Sequence, residues 1–507
     1  MKKTALILII FLISFSFILG CSPSIVEVQL LNVYDSEPVY TYPKDKSEWT
    51  FIYYSNADNN LELEMLSDVE EMKSGLIEGE NISLVMLIDR YGVIENKSVF
   101  GEDFGDTRLY EIQNGKTIRL EGYEFFPEIT RISELELNMG DANNLKKFIQ
   151  YAKKYFPANK YALFIANHGN GIKDFELNRT RSISFDETNN DFIALGEFTD
   201  VLTSAESVDF LALDACLMGY IEIAYQFSPI TGVDKFSSEY FLASTPVEWS
   251  NGFQYDKIFS RFKTSTEISP ETDALFGGNE LFYSSNTMSA IDIGKVILEE
   301  QKDALESTGF YDHSYILLDL KKTESVKKSI DDISRYVYSR SAKLDLESIK
   351  GTYPNPVINF YFNNSNSNEW RDYASFDIYD LINGMNYLPI FSDISTDINL
   401  LLQLLDDYIL SSYGGSRYIN YISGKNGLAV FFPAGDKTYY LSKYWNYQIW
   451  YNPLDASLFS NYYGKILWCK DNATRDNGIV ENWFELLDYF YDDKTRNNGE
   501  SINYYNF

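Results

Sequence analysis

The chain has 507 residues, 45% of them hydrophobic, with 40 Tyr and 35 Phe; this implies large packed surfaces and excludes a disordered chain. A formal net charge of −31 argues against a nucleic-acid partner, because phosphate binding needs Lys and Arg. An acidic surface that keeps a large protein dispersed is the plain reading of that charge.

The first 20 residues read as a targeting segment, with Lys2 and Lys3 before an apolar run from Leu6 to Leu19. The run is shorter than a membrane-spanning helix needs. It ends Gly20-Cys21-Ser22, which resembles a bacterial lipobox. That implies acylation of Cys21, export, and attachment to the cell envelope by lipid. A plain signal peptide that contains a cysteine is the alternative. Residues 21–48, with Pro23, Pro38 and Pro43 and no sustained period, are expected to be a tether.

Trp49 to Tyr54 predicts a strand. Leu61, Met65, Val69 and Met72 recur at helical spacing and predict a helix over 60–74. Ile82 to Asp89 is a near-continuous apolar run, expected of a strand buried on both faces. Arg108–Ile112 is a further strand. Asp141 is placed to cap a helix through about Tyr155.

Two apolar runs then end in reactive side chains. Tyr161 to Asn167 leads to His168, and Asp209 to Ala215 leads to Cys216. Parallel strands that release a thiol and an imidazole at one sheet edge can build a nucleophilic site. The other histidine, His313, falls between helix and strand signals and reads as a surface loop residue, so His168 is the candidate base. The turn Gly169-Asn170-Gly171 suits an oxyanion, since its backbone N–H groups are free to donate. A helix from Met218 to Phe227 would put its positive end near Cys216 and lower the thiol pKa. Between the two strands lie a polar segment, 172–192, and a helix near 196–204.

Alternating strands and helices predict an α/β fold with a mainly parallel sheet flanked by helices. Further on, Ile291–Leu305 is a helix, Tyr315–Leu320 a strand, and 323–338 and 394–412 are helices. Residues 351–370 are loop-rich, and Gly427–Pro433 is a buried strand. The aromatic C-terminal part reads as core packing. The expected division is a catalytic domain over 49–290 and an α/β region over 291–507 packed on it. Cys469 reads as a packed strand residue; a bridge to Cys216 is the alternative.

The His-to-Cys gap is close to the roughly 50 residues found in caspases, but spacing alone is a weak signal. The ordered set Asp58-Asn-Asn-Leu61, Ile88-Asp-Arg90, Asn138-Met-Gly-Asp141, Asn167-His-Gly-Asn-Gly171 and Leu213-Asp-Ala-Cys-Leu-Met-Gly219 resembles the clostripain family of cysteine peptidases. Tyr255–Ile258, Leu318–Leu320, Phe376–Leu381 and Gly427–Pro433 continue the match.

The resemblance implies a caspase-like fold and an endopeptidase with His168 and Cys216 as its dyad. It implies an oxyanion hole from the N–H groups of Gly169 and Cys216. It also implies that Asp214 selects Arg or Lys at P1; read without the family, Asp214 merely caps the strand exit. Cutting between the dyad residues is common in the family, and Lys173, Arg179 and Arg181 are the candidate self-cleavage sites. Calcium is a cofactor of some members, and this chain has no EF-hand loop. The chain departs from the family pattern at Ile172, where an aromatic is common, and over Ser244–Gly252, where acidic residues are usual. The rival reading is an inactive family member that binds peptides or surface partners.

Overall fold

The computed structural model describes residues 42–92, 97–130, 135–169, 171–172, 183–248, 252–263, 268–273, 278–309, 311–352, 356–360, 375–432, 466–469 and 480–491. Cys21, Lys173, Arg179, Arg181, the Asn/Ser cluster at 363–368, and Trp445 and Trp450 lie outside them, as do residues 21–41 of the expected tether.

A nine-stranded sheet organises these residues. Across the sheet, its strands begin in turn at Ile409, Ser314, Ser238, Val208, Ala158, Ser47, Ile82, Arg108 and Lys116. The five inner strands are parallel: β9 (Ser238–Ser244), β8 (Val208–Asp214), β5 (Ala158–Ala166), β1 (Ser47–Ala57) and β2 (Ile82–Arg90). They are the runs whose residues are apolar on both faces, as strands covered by helices on each side must be. Antiparallel pairs close both flanks, with β3 (Arg108–Gln113) and β4 (Lys116–Arg119) on one side. On the other stand β12 (Ser314–Asp319) and β14 (Ile409–Gly414). The sheet is therefore mixed, and it runs through the boundary expected at residue 290.

Helix α1 (Glu62–Gly75) buries Met65, Leu66, Val69 and Met72 against the sheet. Phe51, Phe164, Phe259 and Phe262 form an aromatic cluster with ring centroids 5.1–5.9 Å apart for Phe51 and its three neighbours. Each fully buried ring of this kind contributes about 1.5–3 kcal/mol. Helix α2 (Ala142–Tyr155) starts where expected, its Asp141 carboxylate accepting from Asn143 N at 2.8 Å.

Several expectations are corrected. The helix expected over 394–412 stops at Tyr408, and Ile409–Gly414 turns into β14. Pairing with β12 outweighs the helical period there. The polar segment contains a hairpin, β6 (Ile183–Asp186) with β7 (Asp191–Ile193). His313 is fully buried, its ring 5.3 Å from that of Tyr413, because its loop folds back against Gly415. Cys469 is buried in a short 3-10 turn, Leu467–Cys469, and no disulfide joins it to Cys216. Residues 429–431 pair with 375–377 in a separate two-stranded sheet. Among the described residues, no helix is long and apolar enough to cross a membrane.

Candidate active site

Strands β5 and β8 lie side by side in parallel, with Ala166 opposite Asp214. His168 and Cys216 each stand two residues beyond that pair. The two strands thus release imidazole and thiol at the same step of the register, at the carboxyl edge of the sheet. Asn167 N donates to Asp214 O at 3.2 Å, holding the two exits together. A Cβ on Gly169 would stand 2.1 Å from the Cys216 carbonyl oxygen, so only glycine lets the loops pass this closely.

The turn after the thiol is fixed by its backbone. Leu217 N donates to Pro246 O, and Met218 N and Gly219 N to Ser244 O, each at 2.8 Å. Leu217 has φ +62°, an uncommon conformation for a branched side chain. This turn delays the helix. It begins at Ile221, with Tyr220 as its cap, and not at Met218. Cys216 therefore lies outside its first turn, and the expected lowering of the thiol pKa is not found. Burial pushes the Cys216 thiol up to about 12, with the Glu248 carboxylate adding to the shift.

His168 is half-buried, and its Nε2 is 2.9 Å from Asn60 Oδ1. Asn60 sits on the turn that follows β1. Asn167, beside the histidine, is buried and ties three segments together. Its Nδ2 donates to Asn56 O at 2.6 Å and Phe185 O at 3.1 Å, and its Oδ1 accepts from Phe185 N at 2.9 Å. The Cys216 thiol contacts Glu248, whose N–H donates to Sγ at 3.3 Å.

Both reactive residues line a cleft of about 600 Å³ empty volume, together with Leu61, Glu64, Met65, Asp68, Asp214 and Glu248. Three of its carboxylates each accept from a buried tyrosine. Tyr255 donates to Asp214 at 2.8 Å, Tyr53 to Asp68 at 3.1 Å, and Tyr315 to Glu248 at 2.8 Å. Phe253 N adds a longer bond to Asp214, at 3.4 Å. Burial raises all three carboxyls. Asp214 rises to about 6, and Asp68 and Glu248 rise well above the usual range, with the Asp214 charge adding to both. Among the described residues lining the cleft there is no Lys or Arg. Chemically, this is a thiol and an imidazole beside a cavity that disfavours anions and would gain from a cation.

Asp68, Glu248 and Asn60 escaped the sequence reading. Asp68 carried a signal, an acid inside the apolar stripe of α1. Glu248 is the one acid in Ser244–Gly252, the stretch that seemed poor in acidic residues. Asn60 carried no signal.

The clostripain family model matches residues 53–483. The chain is 39% identical to clostripain of Hathewaya histolytica over 508 aligned positions, covering 93% of this chain and 96% of that one.

The chain is a member of the clostripain family.

It is a cysteine endopeptidase of α/β fold, acting on peptide substrates. Two solved structures of secreted C11 cysteine proteases from Bacteroides thetaiotaomicron share the fold. One, bound to an irreversible peptide inhibitor, has a TM-score of 0.51 at 13% identity and covers 77% of this chain and 94% of its own. The other has a TM-score of 0.50 at 11% identity and covers 76% of this chain and 94% of its own.

Proposed function

We propose that this clostripain-family peptidase uses Cys216 and His168 as a catalytic dyad and cleaves after Arg or Lys. Cys216 gives its proton to His168 as its sulfur attacks the scissile carbonyl carbon. The resulting oxyanion is held by the N–H groups of Gly169 and Cys216. The C–N bond breaks as the imidazolium returns the proton to the leaving amine. Water, activated by His168, then attacks the thioester; the carbonyl–sulfur bond breaks and the thiol is restored.

The observation that carries the specificity is the buried Asp214 carboxylate in the cleft of Cys216, accompanied by Asp68 and Glu248. A guanidinium or ammonium entering there relieves their mutual repulsion. It also offsets the Glu248 and Asp214 charges, which add to burial in raising the thiol pKa, so a basic side chain helps to make the nucleophile. The binding-only alternative has no observation in its favour, since thiol and imidazole line one cleft.

Two further parts of the reading rest on the sequence. Cys21 anchors the protein to the cell envelope through lipid, and the chain cuts itself after Lys173, Arg179 or Arg181. The cut would fall between the His168 loop and β6. Release of a fluorophore from Arg, Lys and neutral P1 peptides, by wild type and Cys216→Ala, tests the enzyme reading. Activity that survives the substitution rejects the nucleophile. Equal rates on neutral substrates reject Asp214 as selector.

A further inference from the structure

Three neighbouring parallel strands carry the site: β8, β5 and β1, in that order across the sheet. Ala166 of β5 is level with Asp214 on one side and with Ser55 on the other. His168 therefore leaves the middle strand, Cys216 leaves the strand on one flank, and Asn60 follows the strand on the other. Adjacent strands stand about 4.8 Å apart, so a ring from the middle strand can meet a group from each neighbour. The two ring nitrogens are distinct, and each can serve one of them.

On the β1 side that partner is Asn60, whose Oδ1 is 2.9 Å from His168 Nε2. A carboxamide oxygen can only accept, so Nε2 is the nitrogen that carries the hydrogen. The turn that places Asn60 is built by the residues before it. Asn59 is buried; its Nδ2 donates to Asn56 O at 2.9 Å and Phe185 O at 3.3 Å, and its Oδ1 accepts from Leu61 N at 2.9 Å. Asp58 accepts from Thr188 N at 2.8 Å and from the Thr188 hydroxyl at 3.1 Å. Asn60 itself is exposed, and its bond to His168 is the one hydrogen bond its side chain makes among the described residues. The backbone at this position is thus pinned on both sides, while the side chain is left to hold the imidazole.

We propose that Asn60 is a positioning residue: its carboxamide oxygen keeps the hydrogen of the neutral His168 ring on Nε2 and turns Nδ1 towards the Cys216 thiol. The inference rests on reading Cys216 and His168 as the dyad. Nδ1 then takes the proton as Sγ attacks the scissile carbonyl carbon, and the same nitrogen returns it to the leaving amine. While the ring is an imidazolium, the bond to Asn60 becomes charge-assisted and stronger, so it favours the reacting state over the resting one. A neutral carboxamide does this without adding a negative charge to a cleft already lined by Glu64, Asp68, Asp214 and Glu248.

The test uses the full chain and one peptide substrate with Arg at P1. Asn60→Ala should lower kcat by roughly 10–100-fold with KM little changed. Asn60→Asp restores an acceptor oxygen at the same reach and should recover part of that loss. Both variants should melt with wild type, because the position is exposed. The ring is read directly by nitrogen NMR of histidine-labelled protein carrying Cys216→Ala, which removes any dependence on peptidase activity. Neutral His168 should carry its hydrogen on Nε2, and adding Asn60→Asp should raise the pH at which the ring titrates. The carboxylates of Glu64, Asp68, Asp214 and Glu248 are the same in parent and variant, so that rise reports position 60. Unchanged kcat in Asn60→Ala, equal losses in Asn60→Ala and Asn60→Asp, a hydrogen on Nδ1, or an unmoved titration in Asn60→Asp would each overturn the role of Asn60 and leave the dyad standing. Full activity in His168→Ala or Cys216→Ala would instead remove the dyad, and the role of Asn60 with it.

Discussion

Tyr255 donates its hydroxyl across 2.8 Å to Asp214, which lines the cleft that also holds the Cys216 thiol. The ring of Tyr255 is buried against Tyr53, 5.5 Å away edge-on, so the hydroxyl has little freedom to turn elsewhere. Asp214 is thereby aimed and partly satisfied before any substrate arrives.

Tyr255→Phe keeps the ring and removes the donor. A hydrogen bond to a charged group is worth about 1.5–3 kcal/mol. The kcat/KM for an Arg substrate should fall by roughly 10–100-fold, with the fold intact by circular dichroism. Steady-state kinetics with one Arg peptide checks this, and unchanged kcat/KM removes Tyr255 from the account.

Asp214→Asn should collapse discrimination between Arg and Ala at P1 by roughly 100-fold or more, through loss of the buried ion pair with substrate. The ratio of the two kcat/KM values measures it. The same variant should melt higher than wild type at pH 7, since it removes a buried charge that lacks a cationic partner in the free enzyme.

The pH dependence follows from the sign of the Asp214 shift. Its carboxyl is raised from the ordinary 3.8 to about 6 by burial, so between those values the folded chain holds a proton that the unfolded chain has lost. Asp214 therefore costs stability as pH rises from about 4 to about 6, and the cost stays above that window. Melting temperatures over this range should fall more steeply for wild type than for Asp214→Asn. A cationic substrate analogue favours the ionised form, so its affinity should weaken as pH drops below about 6.

Gly169→Ala would bring a methyl group to 2.1 Å from the Cys216 carbonyl oxygen. The His168 loop must then move away from the thiol. Displacement of this size costs on the order of 100-fold or more in rate. The expected result is loss of kcat with the melting temperature lowered only modestly; unchanged kcat would show that the loops need not pass so closely.

The sheet, and the placing of His168 and Cys216 at one edge of it, were legible because they rest on strong local signals. Tyr161–Ala166 and Asp209–Leu213 are apolar without alternation, and strands buried on both faces need that pattern. Where such strands end, the next side chains are delivered at the sheet edge, which is how His168 and Cys216 stand out. Features set by tertiary contacts were not legible. Ile409–Tyr413 carries helical spacing from its neighbour, and only pairing with β12 makes it a strand. His313 is polar and flanked by turn residues, and only the fold of its loop against Gly415 buries it. The late start of the helix after Cys216 depends on Leu217 adopting positive φ, which no propensity of leucine announces. Burial raises the thiol pKa first, and Glu248 adds to it from a segment 32 residues away, so the shift has no local signature.

Covalent labelling reads the identity of the nucleophile and its response to charge most directly. Intact-mass and peptide-mapping spectrometry should be run on the protein after an irreversible peptide reagent bearing Arg at P1, beside its Ala counterpart. One adduct per chain on Cys216, formed much faster with Arg and lost in His168→Ala, is the predicted result. Labelling of Cys469 instead, or equal rates with the two reagents, would contradict it.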